Sequence, residues 1–460
     1  MSEHLRSVGL DVGTTTTQLV VSELTVQNRA SGFAVPDMEI TRREILYKSP
    51  VYFTPLSDEA HVDGASIRDI VAAEYEKAGI QRDSVDTGAI IITGETSRKE
   101  NAKTVLEALS SFAGEFVVAT AGPDLESILA AKGAGAVDYS ERTGKTVLHM
   151  DIGGGTSNLA LIRDGKIVST GCLNVGGRLL KFDQDGRVTY VSPVLRGMTE
   201  LKVGDRAGTG QVEAVAQSLV QALEMAAGLR EKTKLLDNLT TEEAAGGIQC
   251  PAGEVVISFS GGVADCIEQT HPAVAFGDMG PTLGKAIRES RLCAGAYILG
   301  TETIRATVIG AGCHSAQLSG STVFYRDVEL PVKNLPVVVI SRQEQESEEL
   351  EARIAQRLRE FDTETVVLAM PGYMAPSFAQ VKNLAARIAR GIAGRSVYLC
   401  LEADMAKALG HSLLLQLPPG TPLLCIDRVR LEEGSFLDIG TPVGPALPVV
   451  IKTLVLSRDP

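Results

Sequence analysis

One turn is written twice in this chain. Asp11-Val12-Gly13-Thr14-Thr15-Thr16-Thr17-Gln18-Leu19 returns 140 positions later as Asp151-Ile152-Gly153-Gly154-Gly155-Thr156-Ser157-Asn158-Leu159, with Asp, Gly, Thr and Leu at the same offsets. Each copy follows an apolar run and enters another, the pattern of strand, tight turn, strand. A single Asp-x-Gly-x-x-Thr is a weak signal, expected by chance in roughly one chain in six; two copies in this context arise in on the order of one in a hundred. Asp438-Ile439-Gly440-Thr441 begins the same way, but Pro442 removes a donor and no Thr stands at the sixth position, so it reads as an ordinary turn. At ~100–200 residues per domain, 460 residues allow two to four domains.

The chemistry of such a turn is anion binding. Glycines let consecutive N–H groups point inward as a nest, and threonine hydroxyls add donors. Two facing nests can grip the β- and γ-phosphates of a nucleotide, with an Asp at the end of each preceding strand holding a hydrated Mg²⁺. Gly261-Gly262, after the apolar run VVISFS, permits close approach of a nucleoside. Composition sharpens this: 44 Lys and Arg against 57 Asp and Glu give a net charge of −13, which excludes a general nucleic-acid or anionic-membrane binder. A phosphate ligand must therefore arrive with its own metal. No apolar run is long enough to span a bilayer and no signal peptide is read, so a cytoplasmic protein is expected. The seven scattered cysteines read as free, buried thiols. The dispersed histidines form no zinc or haem pattern.

Along the chain, helices are predicted at 66–79, 123–135, 211–236, 344–360 and 376–391, and strands at 88–93, 146–151, 158–162, 335–340, 365–370 and 397–402. TVIGAGCHS at 307–315 reads by pattern as a strand running into glycines. Beyond residue 318 the alternation restarts and implies another βαβ-like unit with a β-rich tail.

The motifs together resemble the actin, heat-shock chaperone and sugar-kinase ATPase superfamily. DVGTTTT from Asp11 is similar to its first phosphate motif, DIGGGTS from Asp151 to its second, and SFSGGVAD from Ser258 to its adenosine motif. PDLESILAAKGAGA from Pro123 resembles its first connecting helix and VIGAGCHS from Val308 its second. The resemblance covers residues 8–315 and implies a two-lobed α/β fold, each lobe a mixed sheet with flanking helices, closing over ATP. Carried over residue by residue, Asp11 and Asp151 hold Mg²⁺ waters. Gly13, Thr14, Thr15, Gly153, Gly154, Gly155 and Thr156 cradle the phosphates, and Gly261 and Gly262 lie against the nucleoside. Glu126 faces the Mg²⁺ waters or merely favours a helix N-terminus. Glu95 faces the γ-phosphate or is a surface carboxylate; no Lys or Asp aligns with the family's water-orienting residue.

More narrowly, the whole chain resembles the family of reactivating factors for ethanolamine ammonia-lyase. LDVGTTTTQ at 10–18, SPVYFTPL at 49–56, AIIITGE at 89–95, LNVGGRLL at 173–180, RATVIGAG at 305–312, AKALG at 406–410 and DIGTPV at 438–443 carry it. It implies a slow, Mg²⁺-dependent ATPase that releases damaged cobalamin from the lyase so that adenosylcobalamin can enter. The partners implied are the lyase's large and small subunits, with a homodimer and the ethanolamine-utilisation microcompartment also in view. The expected divisions are 1–140 and 141–318 for the two lobes and 319–460 for a client-docking unit. Cobalamin is expected to be the client's cofactor only: base-off binders ligate cobalt through Asp-x-His-x-x-Gly, and the nearest stretch, Glu59-Ala60-His61-Val62-Asp63-Gly64, reads as a loop. An actin-like filament ATPase and a sugar-kinase-like phosphotransferase are the alternatives.

Overall fold

A computed structural model of the chain describes residues 2–13, 16–28, 38–58, 61–81, 84–93, 109, 117–120, 123–206, 208–241, 248, 250, 255–272, 275–300, 302–314, 316–319, 322–359, 365–392, 395–431, 435–442 and 446–453. The first sheet comprises β1 (Ser2–Val12), β2 (Thr16–Asn28), β3 (Met38–Lys48) and β4 (Tyr52–Phe53), then, after helix α1 (Gly64–Lys77), β5 (Thr87–Ile92) and β6 (Val117–Thr120). Its order is β3-β2-β1-β5-β6, with β4 also on β2. Helices α2 (Pro123–Gly133) and α3 (Ala136–Thr143) lead to β7 (Val147–Ile152), β8 (Ser157–Arg163) and β9 (Lys166–Leu173). A small hairpin follows, β10 (Leu180–Phe182) with β11 (Val188–Val191), then α4 (Thr209–Ala226), α5 (Lys234–Leu239), β12 (Val256–Ser260), α6 (Gly280–Arg288) and β13 (Tyr297–Leu299). The second sheet runs β13-β12-β7-β8-β9. Read from the other edge it repeats the first: two antiparallel pairings lead to β1 or β7, then two parallel ones follow. The sequence repeat is thus a repeat of topology.

The continuous apolar runs are explained by burial on both faces. All six residues of β5 and all five of β12 are buried, which suits strands flanked by parallel neighbours and covered on each side. Helix α7 (Ala306–His314) packs on β1, β2 and β5, whereas α2 packs on β7, β8 and β9, and the two helices pack on each other.

Helix α7 overturns the strand reading of 307–315 and agrees with the second connecting helix that the family resemblance implies. Val308 and Ile309 favour strands and the glycines favour turns, but tertiary packing overrides propensity. A Cβ on Gly310 would stand 2.1 Å from the Leu129 carbonyl oxygen of α2, and one on Gly133 would stand 1.9 Å from that of Ala306. The glycines are there because two helix backbones touch.

Two other helices are shorter than predicted. The segment 211–236 breaks after Ala226, where Gly228 takes φ +72°, and resumes only as α5. The segment 344–360 divides into α8 (Arg342–Glu346), begun by a Ser341/Glu344 capping box, and α9 (Leu350–Leu358). The helix predicted from Ser66 begins at Gly64, capped by the Asp63 carboxylate.

The remaining strands are β14 (Ala316–Leu318), β15 (Phe324–Arg326), β16 (Val332–Val339), β17 (Thr365–Met370), β18 (Ser396–Leu401), β19 (Leu423–Asp427), β20 (Ser435–Ile439) and β21 (Pro448–Thr453), with α10 (Phe378–Ile392) and α11 (Ala406–Leu414) among them. They form an eight-stranded sheet ordered β14-β21-β20-β16-β17-β18-β19-β15, parallel from β16 to β19. The expected βαβ alternation and β-rich tail are both present. The seven cysteines are free thiols, six of them buried. No described helix is long and apolar enough to cross a membrane.

The helix contact predicts a sharp asymmetry between glycines. Gly310→Ala should lower unfolding stability by about 2–4 kcal/mol, because the helices must separate. Gly210→Ala, whose added methyl meets nothing within 4 Å, should be neutral or slightly stabilising. Chemical denaturation of both variants checks this; equal effects would contradict the packing.

Candidate functional site

The two duplicated turns close with the same hydrogen bond. Gly13 N–H donates to the Thr16 carbonyl and Gly153 N–H to the Thr156 carbonyl, each at 2.9 Å. In both, the first glycine's carbonyl is tied back into the protein: the Thr54 hydroxyl donates to Gly13 O at 2.7 Å, and Gly177 N–H to Gly153 O at 3.0 Å. Arg178 N–H takes the next carbonyl, Gly154 O, at 2.6 Å. A planar peptide points its N–H opposite its C=O. With the carbonyls of 153 and 154 held inward, the N–H groups of Gly154 and Gly155 face the other way, and neither has a partner among the described residues. A Cβ at Gly155 would meet nothing within 4 Å, so the nest opens on free space. Behind it, Gly176 must lack a side chain, since a Cβ there would lie 2.3 Å from Gly154 O. Thr14, Thr15 and Glu95 lie outside the described residues.

The carboxylates of Asp11 and Asp151 stand at the ends of β1 and β7, close enough that Asp151 raises the pKa of Asp11. Thr93, just past β5, donates its hydroxyl to Asp11 Oδ1 at 2.9 Å. Ser260, ending β12, donates to Asp151 Oδ1, and Thr307 of α7 bonds the same carboxylate. Burial is the main influence on both: it pushes Asp11 up to about 7 and Asp151 up to about 6, against the lowering effect of their hydroxyl donors.

Directly across the strand pair from each Asp lies a carboxamide, Gln18 opposite Asp11 and Asn158 opposite Asp151. Gln18 Nε2 donates to the Ile304 carbonyl at 3.1 Å, and Asn158 Nδ2 donates to Glu126 Oε2 at 2.7 Å. In both, the carboxamide oxygen is buried with no hydrogen-bond partner. Glu126, buried on α2, therefore reaches the site through Asn158.

Behind Asp151 runs a chain of fixed polarity. Ser260 gives its proton to the carboxylate, so its oxygen accepts from His149 Nε2–H at 3.0 Å, and Ser258 must donate to His149 Nδ1, also at 3.0 Å. Burial drives the fully enclosed His149 down to about 3, so the ring is neutral.

Gly261 and Gly262 have different tasks. Gly261, at φ +86°, has no room for a side chain because a Cβ would lie 2.3 Å from Ile152 O. Its N–H donates to Thr303 O at 2.8 Å, and its backbone lies against Ile152 at the entry to the second turn. Gly262 has only the Ile304 methyl at 4.0 Å and leaves open space. His61 sits in a loop against Asp58, apart from these residues.

The arrangement suits a hydrated Mg²⁺. Among the described residues no three His, Cys, Asp or Glu side chains gather as a metal cage. Mg²⁺ typically takes one or two carboxylates and keeps its waters. Two buried carboxylates supply the former, and the orphaned oxygens of Gln18 and Asn158 are acceptors for the latter. Sequence reading missed Gln18, Thr54, Thr93, His149, Asn158, Ser260 and Thr307 as site residues. Gln18 and Asn158 carried a signal, since both stand seven positions after their Asp.

The model of the family described as "Ethanolamine utilisation protein EutA" matches residues 3–457. The chain belongs to the EutA family. Two EutA relatives named "Ethanolamine ammonia-lyase reactivase EutA" are similar to it: one from Salmonella typhimurium, 40% identical over 478 aligned residues, and one from Escherichia coli, 40% identical over 470. Each alignment covers 98% of this chain and 99% of the relative. Among solved structures, a Ppx/GppA family member from Aquifex aeolicus aligns with TM-score 0.37 and 14% identity, covering 67% of this EutA chain and 87% of its own. MreB 5 of Spiroplasma citri bound to AMPPNP aligns with TM-score 0.33 and 18% identity, covering 66% and 94%.

Two measurements test the electrostatics of this EutA site. A buried carboxyl whose folded pKa is raised contributes stability that is complete below its ordinary 3.8 and lost as pH rises through the folded value, here about 7 for Asp11. In metal-free protein, Asp11→Asn should therefore stabilise by roughly 2 kcal/mol more at pH 8 than at pH 4, read by denaturation at each pH. Nitrogen NMR should find His149 neutral from pH 8 to pH 5, with its proton on Nε2 at pH 8, where Asp151 is ionised. A ring titrating near the ordinary 6.5 would contradict the chain of hydrogen bonds.

Proposed function

We propose that this chain is an ATP-dependent reactivating factor for ethanolamine ammonia-lyase, releasing damaged or inactive cobalamin so that adenosylcobalamin rebinds. The 40% identity to two reactivases along almost the whole of both chains carries the reading. The paired turns give that activity a place to bind a nucleotide. Gly13, Thr14 and Thr15 form one side of the phosphate cradle, and Gly153, Gly154, Gly155 and Thr156 form the other. Gly262 lies against the nucleoside and Gly261 supports the loop beneath it.

Mg²⁺, when bound, neutralises phosphate charge that an acidic protein cannot offset by itself. Asp11 and Asp151 hold its waters, and the Gln18 and Asn158 oxygens accept hydrogen bonds from them. Hydrolysis adds water to the γ-phosphorus as the bond to the bridging oxygen breaks, giving ADP and phosphate. Glu126, held by Asn158, faces the Mg²⁺ waters, and Glu95 faces the γ-phosphate.

Coupling follows from differential affinity. The lobes 1–140 and 141–318 close around the nucleotide, the region 319–460 docks on the lyase's large and small subunits, and the ATP and ADP forms favour different lyase conformations. The chain works as a slow ATPase in the cytoplasm, as a monomer or a homodimer, within the microcompartment where its client resides. Cobalamin stays with the client.

The decisive experiment mixes the protein with lyase stalled by cyanocobalamin and follows deamination after adding ATP, Mg²⁺ and adenosylcobalamin. Activity should return only in the full mixture, and no recovery there would refute the reactivation reading. Asp11→Ala and Asp151→Ala should each lower Mg²⁺-dependent ATP hydrolysis by about 100-fold or more. A double variant hydrolysing at the parental rate would refute the site.

A further inference from the structure

Arg178 enters the site from the segment that braces the second phosphate loop. Its N–H is bound to Gly154 O, and its Cβ, Cγ and Cδ run across that glycine, 3.2 to 3.6 Å from where a Cβ on Gly154 would stand. The stem therefore lies against the loop at Gly154. Nε donates to Asp278 Oδ2 at 3.2 Å. The other oxygen of Asp278 accepts from Gly280 N–H at 2.8 Å, at the first residue of α6. Asp278 is thereby fixed, its side chain 10% exposed against 27% for Arg178. Nη1 and Nη2 make no hydrogen bond among the described residues.

That division of labour points to a ligand. An arginine that merely fastens two segments does best by presenting its fork of two parallel N–H groups to the carboxylate. Here the carboxylate takes the inner nitrogen, which leaves the fork unbound on an arginine whose stem lies against Gly154, and the N–H groups of Gly154 and Gly155 are unpartnered as well among the described residues. The chemistry matching a planar fork beside an amide nest is a phosphate oxygen pair. In a chain of net charge −13, a cation placed there has a specific electrostatic effect.

We propose that Arg178 senses the terminal phosphate of the bound nucleotide. Its Nη1/Nη2 fork takes oxygens of the γ-phosphate held by Gly154 and Gly155, and Asp278 positions it. The inference rests on the nucleotide-binding reading above and adds to it a residue that separates triphosphate from diphosphate.

Calorimetric titration of the full chain with ATP and with ADP, in excess Mg²⁺, tests it. For Arg178→Ala, ATP affinity should fall about 10- to 100-fold while ADP affinity changes less than about threefold. Asp278→Asn should shift the ATP/ADP ratio the same way by a smaller factor. Arg178→Lys keeps the stem and charge but not the fork; it should retain part of the preference, and it carries the test if the alanine variant melts early. Equal weakening of both nucleotides, or unchanged ATP affinity, overturns the assignment. Asp11→Ala separates the two levels. If it loses Mg²⁺-nucleotide binding while Arg178→Ala keeps the parental ATP/ADP ratio, the site stands and the role of Arg178 falls. If the parent protein binds neither nucleotide, both fall.

Discussion

The carbonyl oxygens of Gly13, Gly153 and Gly154 are all pulled back into the protein, and the character of the cleft follows from that. A peptide unit cannot turn its N–H without turning its C=O, so binding the carbonyl from behind aims the donor forward. This explains requirements elsewhere in the chain. Thr54 stands at the end of the 49–54 connection to hold Gly13, and the Gly176-Gly177-Arg178 segment must run against the second loop with no side chain at 176. Gly261 needs its left-handed conformation to pass over Ile152. Substituting any of these would change the direction of an N–H group several residues away.

The electrostatics are built around the same loops. The nest offers partial positive charge, whereas Asp11 and Asp151 put two buried acids beside it, each pushed toward neutrality by desolvation. Left alone, the carboxylates are a cost to folding near neutral pH. Hydroxyl donors from Thr93, Ser260 and Thr307 reduce that cost without cancelling it, and none of them carries a charge. A divalent cation reverses the balance, because the two charges that repel one another then share a counter-ion.

Much of this was legible because the repeat is local. Asp-x-Gly-x-x-Thr specifies a strand end, a turn and a strand start within a short span, and both copies fold as read. What was not legible depends on partners distant in sequence. Thr93 and Ser260 matter only because β5 and β12 lie beside β1 and β7, and no spacing rule announces which neighbour a strand will have. His149 sits two residues before Asp151, yet its hydrogen-bonding role depends on Ser258 and Ser260, more than a hundred positions away. Residues 307–315 failed in the opposite sense: local propensity pointed to a strand, and the backbones of α2, against Gly310, and of β1, against Gly312, explain why glycines stand in α7. The extended reading of 211–236 failed at Gly228, whose positive φ a periodicity argument cannot see.

The helix pair gives the site its mechanical reach. Thr307 of α7 bonds Asp151, and Glu126 of α2 bonds Asn158, so both helices touch the residues around the second turn. Their backbones are in contact at Gly133 and Gly310, and α7 also rests on β1 through Gly9 and Gly312. Around those glycines only short or well-buried side chains pack between the helices, Ala130 and Ala134 on Ala306 and Leu129 near Ala311, so the contact is close. Helix α7 ends at His314 and β14 begins at Ala316, on the edge of the eight-stranded sheet. Through Thr307, helix α7 ties the Asp151 carboxylate to the first sheet, on whose β1, β2 and β5 it packs.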